Sequence, residues 1–289
     1  VQHPAQPRRS GVYWSMTQEA KKPRLIAVDI DGTLLNDQKQ IPPENIDALR
    51  QAQSNGVAVA IASGRMPPLI EPIQDKLGMD CALISYNGGR VVGTRAEGRP
   101  VIYDNPLPAD VARHFIEFSQ SQGYLLNFFY NDRLYADDGG DREPFRTLYS
   151  RHTGAEYYIT DLAQFDGCAP SKVILLTAPD LRDQLYDRFV DELGARAAIF
   201  KTEPMYLEVM APGVNKGAAL PTLAEYCGIS TDEILAIGDA DNDTAMIAAA
   251  GIGVAVANGS VATRQAADYV TERNNNEGAV AEAVHRFVG

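Results

Sequence analysis

The stretch Leu25-Ile26-Ala27-Val28-Asp29-Ile30-Asp31-Gly32-Thr33 decides the fold. Its four opening apolar residues read as a strand buried on both faces, as in a parallel sheet covered by helices on each side. The strand ends in an acid, a second acid follows two residues later, and Gly32 frees the backbone to turn. In open α/β sheets ligands sit beyond the carboxyl ends of the strands, so Asp29 and Asp31 are aimed where a site would form. Two carboxylates there raise each other's pKa unless a cation joins them, and hard oxygen donors point to Mg2+. The plain alternative is a polar strand end with an Asp-Gly turn.

Working outward, Val57 to Ala62 and Ala82-Leu83-Ile84 are further apolar runs. Between the first two strands lies a helical pattern, Pro43 to Asn55, with Ile46, Leu49 and Ala52 on one face and Gly56 as its stop. Strand, helix, strand is the order of right-handed βαβ units. It returns at the far end with Ile234 to Ile237, a helix Thr244 to Ala250, Gly253 to Val256, Tyr269-Val270 and a last helix around Val280, Val284 and Phe287. The middle reads differently. Asp110 to Gln122 is an amphipathic helix, Leu125 to Tyr130 and Leu134-Tyr135 flank Asn131-Asp132-Arg133 as a hairpin, and helices are expected near Glu143 to His152 and Leu181 to Leu193. Strands are expected near Val173 to Leu176, Ala197 to Lys201 and Tyr206 to Met210. The expected fold is α/β, a doubly wound, mainly parallel, Rossmann-like core interrupted by an α+β insertion. The core takes residues 23–89 and 211–289 and the insertion residues 90–210, with Gly88-Gly89 and Ala211-Pro212-Gly213 as crossing points.

Three more loops could carry chemistry. Ser63-Gly64-Arg65 follows an apolar strand, and a hydroxyl, a glycine amide and a helix start would form an anion cradle; the alternative is a simple N-cap by Ser63. Lys216 opens a helix after Gly213-Val214-Asn215, an unfavourable place for a cation unless an anion lies nearby; the alternative is an ordinary surface lysine. Gly238-Asp239-Ala240-Asp241-Asn242-Asp243 puts three carboxylates in five residues behind a buried strand, the pattern of a hard-cation site. Here the alternative is a polar loop with Asp243 capping the next helix.

Composition limits what such a site could serve. At 289 residues the chain is long enough for about two domains. It carries 26 Lys and Arg against 38 Asp and Glu, a net charge of -12, which excludes a phosphate backbone or an anionic membrane as a partner for the whole surface. A small anion is a different matter, because a cation bound among clustered acids inverts the local sign. Cys81, Cys168 and Cys227 are widely spaced and odd in number, so they read as small buried apolar residues in a reducing, cytoplasmic setting. No apolar run approaches the roughly 20 residues of a membrane span. Residues 1–22 have a basic pair but no apolar stretch and read as a flexible tail, with residues 1–15 as an upstream extension of a chain expected to begin at Met16. Neither the dinucleotide glycine spacing, HExxH nor GxSxG appears.

Taken in order, Asp29-Ile30-Asp31-Gly32-Thr33, Ser63-Gly64-Arg65, Lys216 and Gly238 to Asp243 form a specific set. It resembles the haloacid dehalogenase superfamily, and within it the Cof-type, sugar-phosphatase-like hydrolases with a large cap of the type called C2B. The resemblance runs from about Pro23 to the C-terminus and extends to Ser85-Tyr86-Asn87-Gly88, Pro212 to Gly217 and Ala266 to Val270. Pro221, inside the helix after Lys216, departs from the pattern and should kink or delay that helix. The resemblance implies that Asp29 attacks phosphorus and becomes an aspartyl-phosphate, and that Asp31 protonates the leaving oxygen and then activates water. It implies Mg2+ held by the Asp29 side chain, the Asp31 carbonyl and Asp239, with Asp243 behind them. The phosphoryl oxygens would be gripped by Ser63, the Gly64 and Ile30 amides, Lys216 and Asn242.

The expected function is therefore Mg2+-dependent hydrolysis of small phosphorylated metabolites such as sugar phosphates. The same core could instead run a phosphotransferase or phosphomutase, or serve as a non-enzymatic phospho-acceptor module. Tyr130, Arg133, Tyr135 and Lys172 are candidate insertion-domain contacts to a substrate, equally readable as packing. The oligomeric state is not legible in the sequence.

Overall fold

The computed structural model describes residues 22–138 and 142–289, so the expected N-terminal tail lies, but for Lys22, outside the described residues. Strands β1 (Leu25–Asp29), β2 (Ala58–Ala62) and β3 (Ala82–Ser85) pair in parallel, joined through helices α1 (Pro43–Ser54) and α2 (Pro67–Leu77). After β3 the chain reverses into β4 (Arg90–Val92) and β5 (Val101–Asp104), which pair antiparallel along the same sheet. This corrects the expected boundary at residue 90. Gly88-Gly89 does mark a turn, with Gly88 at φ +96°, but the turn folds back on the sheet instead of leaving it, because Val91 and Val92 are apolar and bury beside Leu83 and Ile84. The chain leaves the sheet after Asp104.

The second layer system holds α3 (Ala109–Gln122), β6 (Leu125–Tyr130), β7 (Arg133–Ala136), α4 (Glu143–Thr153), β8 (Tyr157–Ile159), β9 (Lys172–Leu176), α5 (Pro179–Leu193), β10 (Ala198–Glu203) and β11 (Tyr206–Met210). Its sheet runs β10-β11-β9-β6-β7-β8 and is antiparallel except between β7 and β8. The expected hairpin is present, with Asn131 and Asp132 both at positive φ, as a tight turn between right-twisted strands requires. Successive residues of this sheet face opposite ways. Leu126, Phe128, Val173, Leu175, Leu207 and Val209 pack with α3 and α5, whereas Leu125, Phe129, Ile174, Leu176 and Tyr206 pack toward Met66 and Tyr86 of the first layer system.

The chain then returns through α6 (Leu220–Tyr226), β12 (Ile234–Gly238), α7 (Thr244–Ala249), β13 (Ile252–Ala255), α8 (Val261–Ala266), β14 (Tyr269–Val270) and α9 (Ala279–Phe287). The large sheet has the order β14-β13-β12-β1-β2-β3-β4-β5, parallel from β14 to β3. Along β1, Ile26 and Val28 face a cluster with Leu49, Ile70 and Val280, while Leu25 and Ala27 face Leu220, Leu223 and Met246. Helices thus cover both faces, which is why β1 is an unbroken apolar run. The doubly wound α/β core with an inserted α+β domain is the architecture expected.

Two local expectations shift. Lys216 lies in a turn and α6 begins only at Leu220, with Pro221 in its first turn, where a missing N–H costs nothing. Of the cysteines, Cys81 is buried but Cys168 and Cys227 are half-buried; all three are free. No helix among the described residues is long and apolar enough to cross a membrane.

Candidate active site

From β1 the sheet grows through β2 to one side, and the chain later returns to build β12 on the other. The crevice between β1 and β12 is therefore a topological switch point, where carboxyl strand ends open to a ligand. Val28 pairs with Ile237, so Asp29 closes one strand as Gly238 closes its neighbour, and Asp239 follows directly. Two glycines let the acids converge. A Cβ on Gly32 would stand 2.4 Å from Oδ2 of Asp239, and Gly32 already sits at φ +82°. A Cβ on Gly238 would stand 2.6 Å from Cβ of Asp243.

Asp29, Asp239 and Asp243 each bring an oxygen within 4.8 Å of the others. Lys216 enters from the turn before α6, fully buried, and donates from Nζ to Asp29 Oδ1 at 2.5 Å and to Asp243 Oδ1 at 2.6 Å. The other oxygen of Asp243 accepts from the amides of Asp239 and Ala240, both at 3.1 Å. Asp243 is thus occupied on both oxygens, and the Asp239 carboxylate accepts from the buried Thr33 hydroxyl at 2.7 Å.

One lysine does not balance three carboxylates. Burial, then the charge of Asp243, push the Asp29 carboxyl well above its ordinary range, with Lys216 opposing. Asp239 is pushed up to about 6, chiefly by burial and in spite of the Thr33 hydrogen bond. Burial acts against the Lys216 charge, but Asp243 and Asp29 overcome it and hold the ammonium charged above its ordinary range. A site with uncompensated negative charge, hard oxygen donors and a buried floor fits a divalent cation of the oxygen-preferring kind.

Asp31 is set apart from this cluster. Arg65 grips its carboxylate with Nε to Oδ2 at 3.0 Å and Nη2 to Oδ1 at 2.8 Å, and Lys39 Nζ donates to Oδ1 at 2.9 Å. Desolvation acts upward on this carboxyl, but the charge of Arg65 and the hydrogen bond from Lys39 outweigh it and hold Asp31 below its ordinary range.

Ser63 follows β2 beside Asp29, since Ala62 is the register partner of that acid. It does not cap a helix, because α2 starts at Pro67; its hydroxyl accepts from the Arg65 amide at 3.2 Å. The expected helix N-terminus at the cradle is therefore absent, and the turn 63–65 stands alone. Asn87 packs against the turn, close enough that a Cβ on Gly64 would lie 3.0 Å from its Oδ1, and that oxygen accepts from Asn242 Nδ2 at 3.0 Å. Ile30 keeps its side chain in the core between the two acids.

The residues picked from the sequence, Asp29, Ile30, Asp31, Ser63, Gly64, Lys216, Asp239, Asn242 and Asp243, therefore all gather at the carboxyl ends of β1, β2 and β12. Three neighbours of this set had no role of their own in the sequence: Arg65 and Asn87, which stood inside quoted motifs, and Lys39, which stood in none. Arg65 carried a signal, a cation directly after a candidate cradle, and Asn87 lay in the Ser85-Tyr86-Asn87-Gly88 stretch of the resemblance; Lys39 carried none. Of the four candidate contacts on the insertion, Tyr130 and Tyr135 pack around Phe165 on the side away from the core, and Arg133 lies over the Tyr158 ring. Lys172 alone of the four reaches the core, donating to the Gly64 carbonyl at 2.9 Å.

Comparison with known proteins agrees with this architecture. A profile of haloacid dehalogenase-like hydrolases matches residues 26–284. The phosphoglycolate phosphatase of Methanothermobacter thermautotrophicus is 31% identical over 269 residues, covering 92% of this chain and 99% of that protein. The 5-amino-6-(5-phospho-D-ribitylamino)uracil phosphatase YcsE of Bacillus subtilis is 29% identical over 281 residues, covering 95% and 99%. A crystal structure of a haloacid dehalogenase-like hydrolase from Bacteroides thetaiotaomicron superposes with a TM-score of 0.83 at 29% identity, covering 92% of this chain and 99% of that one. The chain belongs to the haloacid dehalogenase-like hydrolase family.

Proposed function

We propose that the protein is a Mg2+-dependent phosphatase of small phosphorylated metabolites, sugar phosphates among them, working through an aspartyl-phosphate on Asp29. The observation that carries the reading is the convergence of Asp29, Asp239 and Asp243 at the switch point, two of them bonded to one buried lysine. The kind of substrate named for the relatives, a phosphate monoester of a small molecule, supports it.

Asp29 and Asp239, with the Asp31 carbonyl, are the groups that would hold Mg2+, and Asp243 stands behind them, engaged with Lys216 and two amides. When bound, the ion neutralises charge on the phosphoryl oxygens and on the attacking carboxylate. The Lys216 ammonium, the Ser63 hydroxyl, Asn242 and the Gly64 and Ile30 amides are the groups that would grip those oxygens. Phosphoryl transfer requires little beyond in-line placement and charge neutralisation, which this set supplies.

In the first half-reaction an Asp29 oxygen bonds to phosphorus as the ester P–O bond breaks, and the leaving oxygen takes a proton from Asp31. In the second, Asp31 takes a proton from water as that water attacks phosphorus, and the Asp29–phosphorus bond breaks to release inorganic phosphate. Arg65 and Lys39 hold Asp31 ionised in the present arrangement, which suits the base of the second half-reaction. To serve as the acid of the first, Asp31 has to leave that clamp and pick up a proton.

The test is phosphate release from a panel of sugar phosphates, nucleotides and other small phosphate esters, with Mg2+ and with a chelator. Activity that requires Mg2+ and is abolished in Asp29→Asn is expected. Turnover by Asp29→Asn at the wild-type rate would remove Asp29 from its role.

A further inference from the structure

Among the described residues, the contact between Lys172 and Gly64 is where a charged side chain of the inserted domain meets the turn that flanks Asp29. Lys172 opens β9 and is 5% exposed. Its Nζ donates to the Gly64 carbonyl at 2.9 Å and to Glu208 Oε1 at 2.7 Å, and it lies 5.1 Å from the centre of the Phe129 ring. Glu208, on the neighbouring β11, is 4% exposed.

Stability does not account for this pair. Well-packed apolar residues in place of a buried ion pair are often neutral or stabilising, since they avoid the desolvation of two charges. What a methionine or leucine at 172 could not do is donate to a carbonyl across the domain boundary. That carbonyl belongs to the peptide unit joining Gly64 to Arg65, and the N–H of the same unit donates to the Ser63 hydroxyl oxygen at 3.2 Å. The peptide is planar, so fixing its oxygen fixes its N–H. A cation on the oxygen also polarises the unit and strengthens the N–H as a donor. The Arg65 side chain that leaves this unit is the one that grips Asp31.

We infer that Lys172, held by Glu208, is a positioning residue: when the inserted domain is seated it sets the Gly64–Arg65 peptide, and through that the Ser63 hydroxyl and the Arg65–Asp31 pair. Glu208 keeps the ammonium aimed. Domain seating and cradle geometry thereby become one event, so that the turn is fully ordered only under a seated insertion. The part of the inference that concerns turnover rests on the phosphatase reading; the part that concerns the turn does not.

The experiment uses Lys172→Met, Lys172→Arg and Glu208→Gln in the full chain, read by amide hydrogen exchange and by phosphatase kinetics. In Lys172→Met the amides of residues 63–65 should exchange at least about tenfold faster while those of β1 keep their protection, because only the turn loses a partner. The kcat should fall by about 10- to 100-fold, as expected for a small misplacement of a reacting group, with KM changing by less than about threefold. Lys172→Arg, which keeps the charge and the donor, should recover most of both. Glu208→Gln leaves the lysine in place and should move both readouts the same way by less, which keeps the inference testable if Lys172→Met fails to fold. Unchanged exchange at residues 63–65, or a wild-type kcat with accelerated exchange, would overturn it. A wild-type protein inactive on every phosphate ester would instead remove the phosphatase reading, and the exchange result would still decide for or against the latch.

Discussion

Two buried lysines, both paired with acids, organise the two halves of this molecule in different ways. Lys216 stands in the core between Asp29 and Asp243, with Asp239 beside them, and among the described residues its ammonium donates to carboxylates alone. Lys172 stands in the insertion with one acid and shares its ammonium with a carbonyl of the core. The first is a charge compensator in an acid cluster it cannot neutralise alone, and the shortfall is what a metal would fill. The second has its charge matched by Glu208, so what remains is direction: it places a peptide. The same ion-pair chemistry therefore yields electrostatics in one region and geometry in the other.

Breaking the pair in the core should have the larger effect. Lys216→Met removes the one protein cation among three carboxylates, and kcat should fall by about 10³-fold, the scale of losing a preorganised charge at a reacting oxygen. Lys216→Arg should not rescue it, because the site at 216 is closed on every side and the guanidinium is larger and differently shaped. Rescue by arginine at 172 but not at 216, measured by steady-state kinetics, is the sharpest separation of the two roles. Equal rescue at both would dissolve the comparison.

A middle-sized effect is expected from Gly32→Ala. The added methyl would meet Asp239 at 2.4 Å on a backbone at positive φ, so the strand-end loop must strain or Asp239 must move. Mg2+ affinity measured by calorimetry should fall by about tenfold or more, while the contacts of Lys172 stay intact and exchange at residues 63–65 is unaltered.

The smallest effect is a pH dependence confined to the core. Asp239 titrates near 6 in the folded chain against an ordinary value near 3.8, so between those values the folded state holds a proton that the unfolded state has released. Stability of the metal-free protein should therefore be greatest below about pH 4 for this group and decline as pH rises toward 6. Saturating Mg2+ takes the place of the proton and should remove that decline, with thermal unfolding in chelator and in Mg2+ as the measurement. Parallel pH curves with and without Mg2+ would mean that the acid cluster does not bind it.

Much of the core was legible because burial on both faces writes a strand as an unbroken apolar run, as at Leu25 to Val28 and Ile234 to Ile237. The acids were legible because carboxylates are rarely crowded behind such runs. The edge hairpin of β4 and β5 was not, since a Gly-Gly turn looks the same whether the chain leaves the sheet or reverses on it, and β5 is largely exposed, with Val101 at 58%. Within the site what stayed hidden is the pairing of residues with distant partners. Lys172 meets Gly64 across 108 positions and Asn87 meets Asn242 across 155, and neither spacing leaves a local pattern. Arg65 stood in plain view, but its partner Asp31 lies 34 residues away on another strand end.

The central claim is that Asp29 carries the phosphoryl group. Mixing excess protein with a phosphate ester labelled in its phosphoryl group, quenching in acid within one turnover and mapping the label by peptide mass spectrometry tests it directly. The account predicts an acid-stable, hydroxylamine-labile phosphate on the peptide containing Asp29, absent in Asp29→Asn and longer-lived in Asp31→Asn, which lacks the base for its hydrolysis. Phosphate release with no labelled protein at any time, in both the wild type and Asp31→Asn, would contradict it.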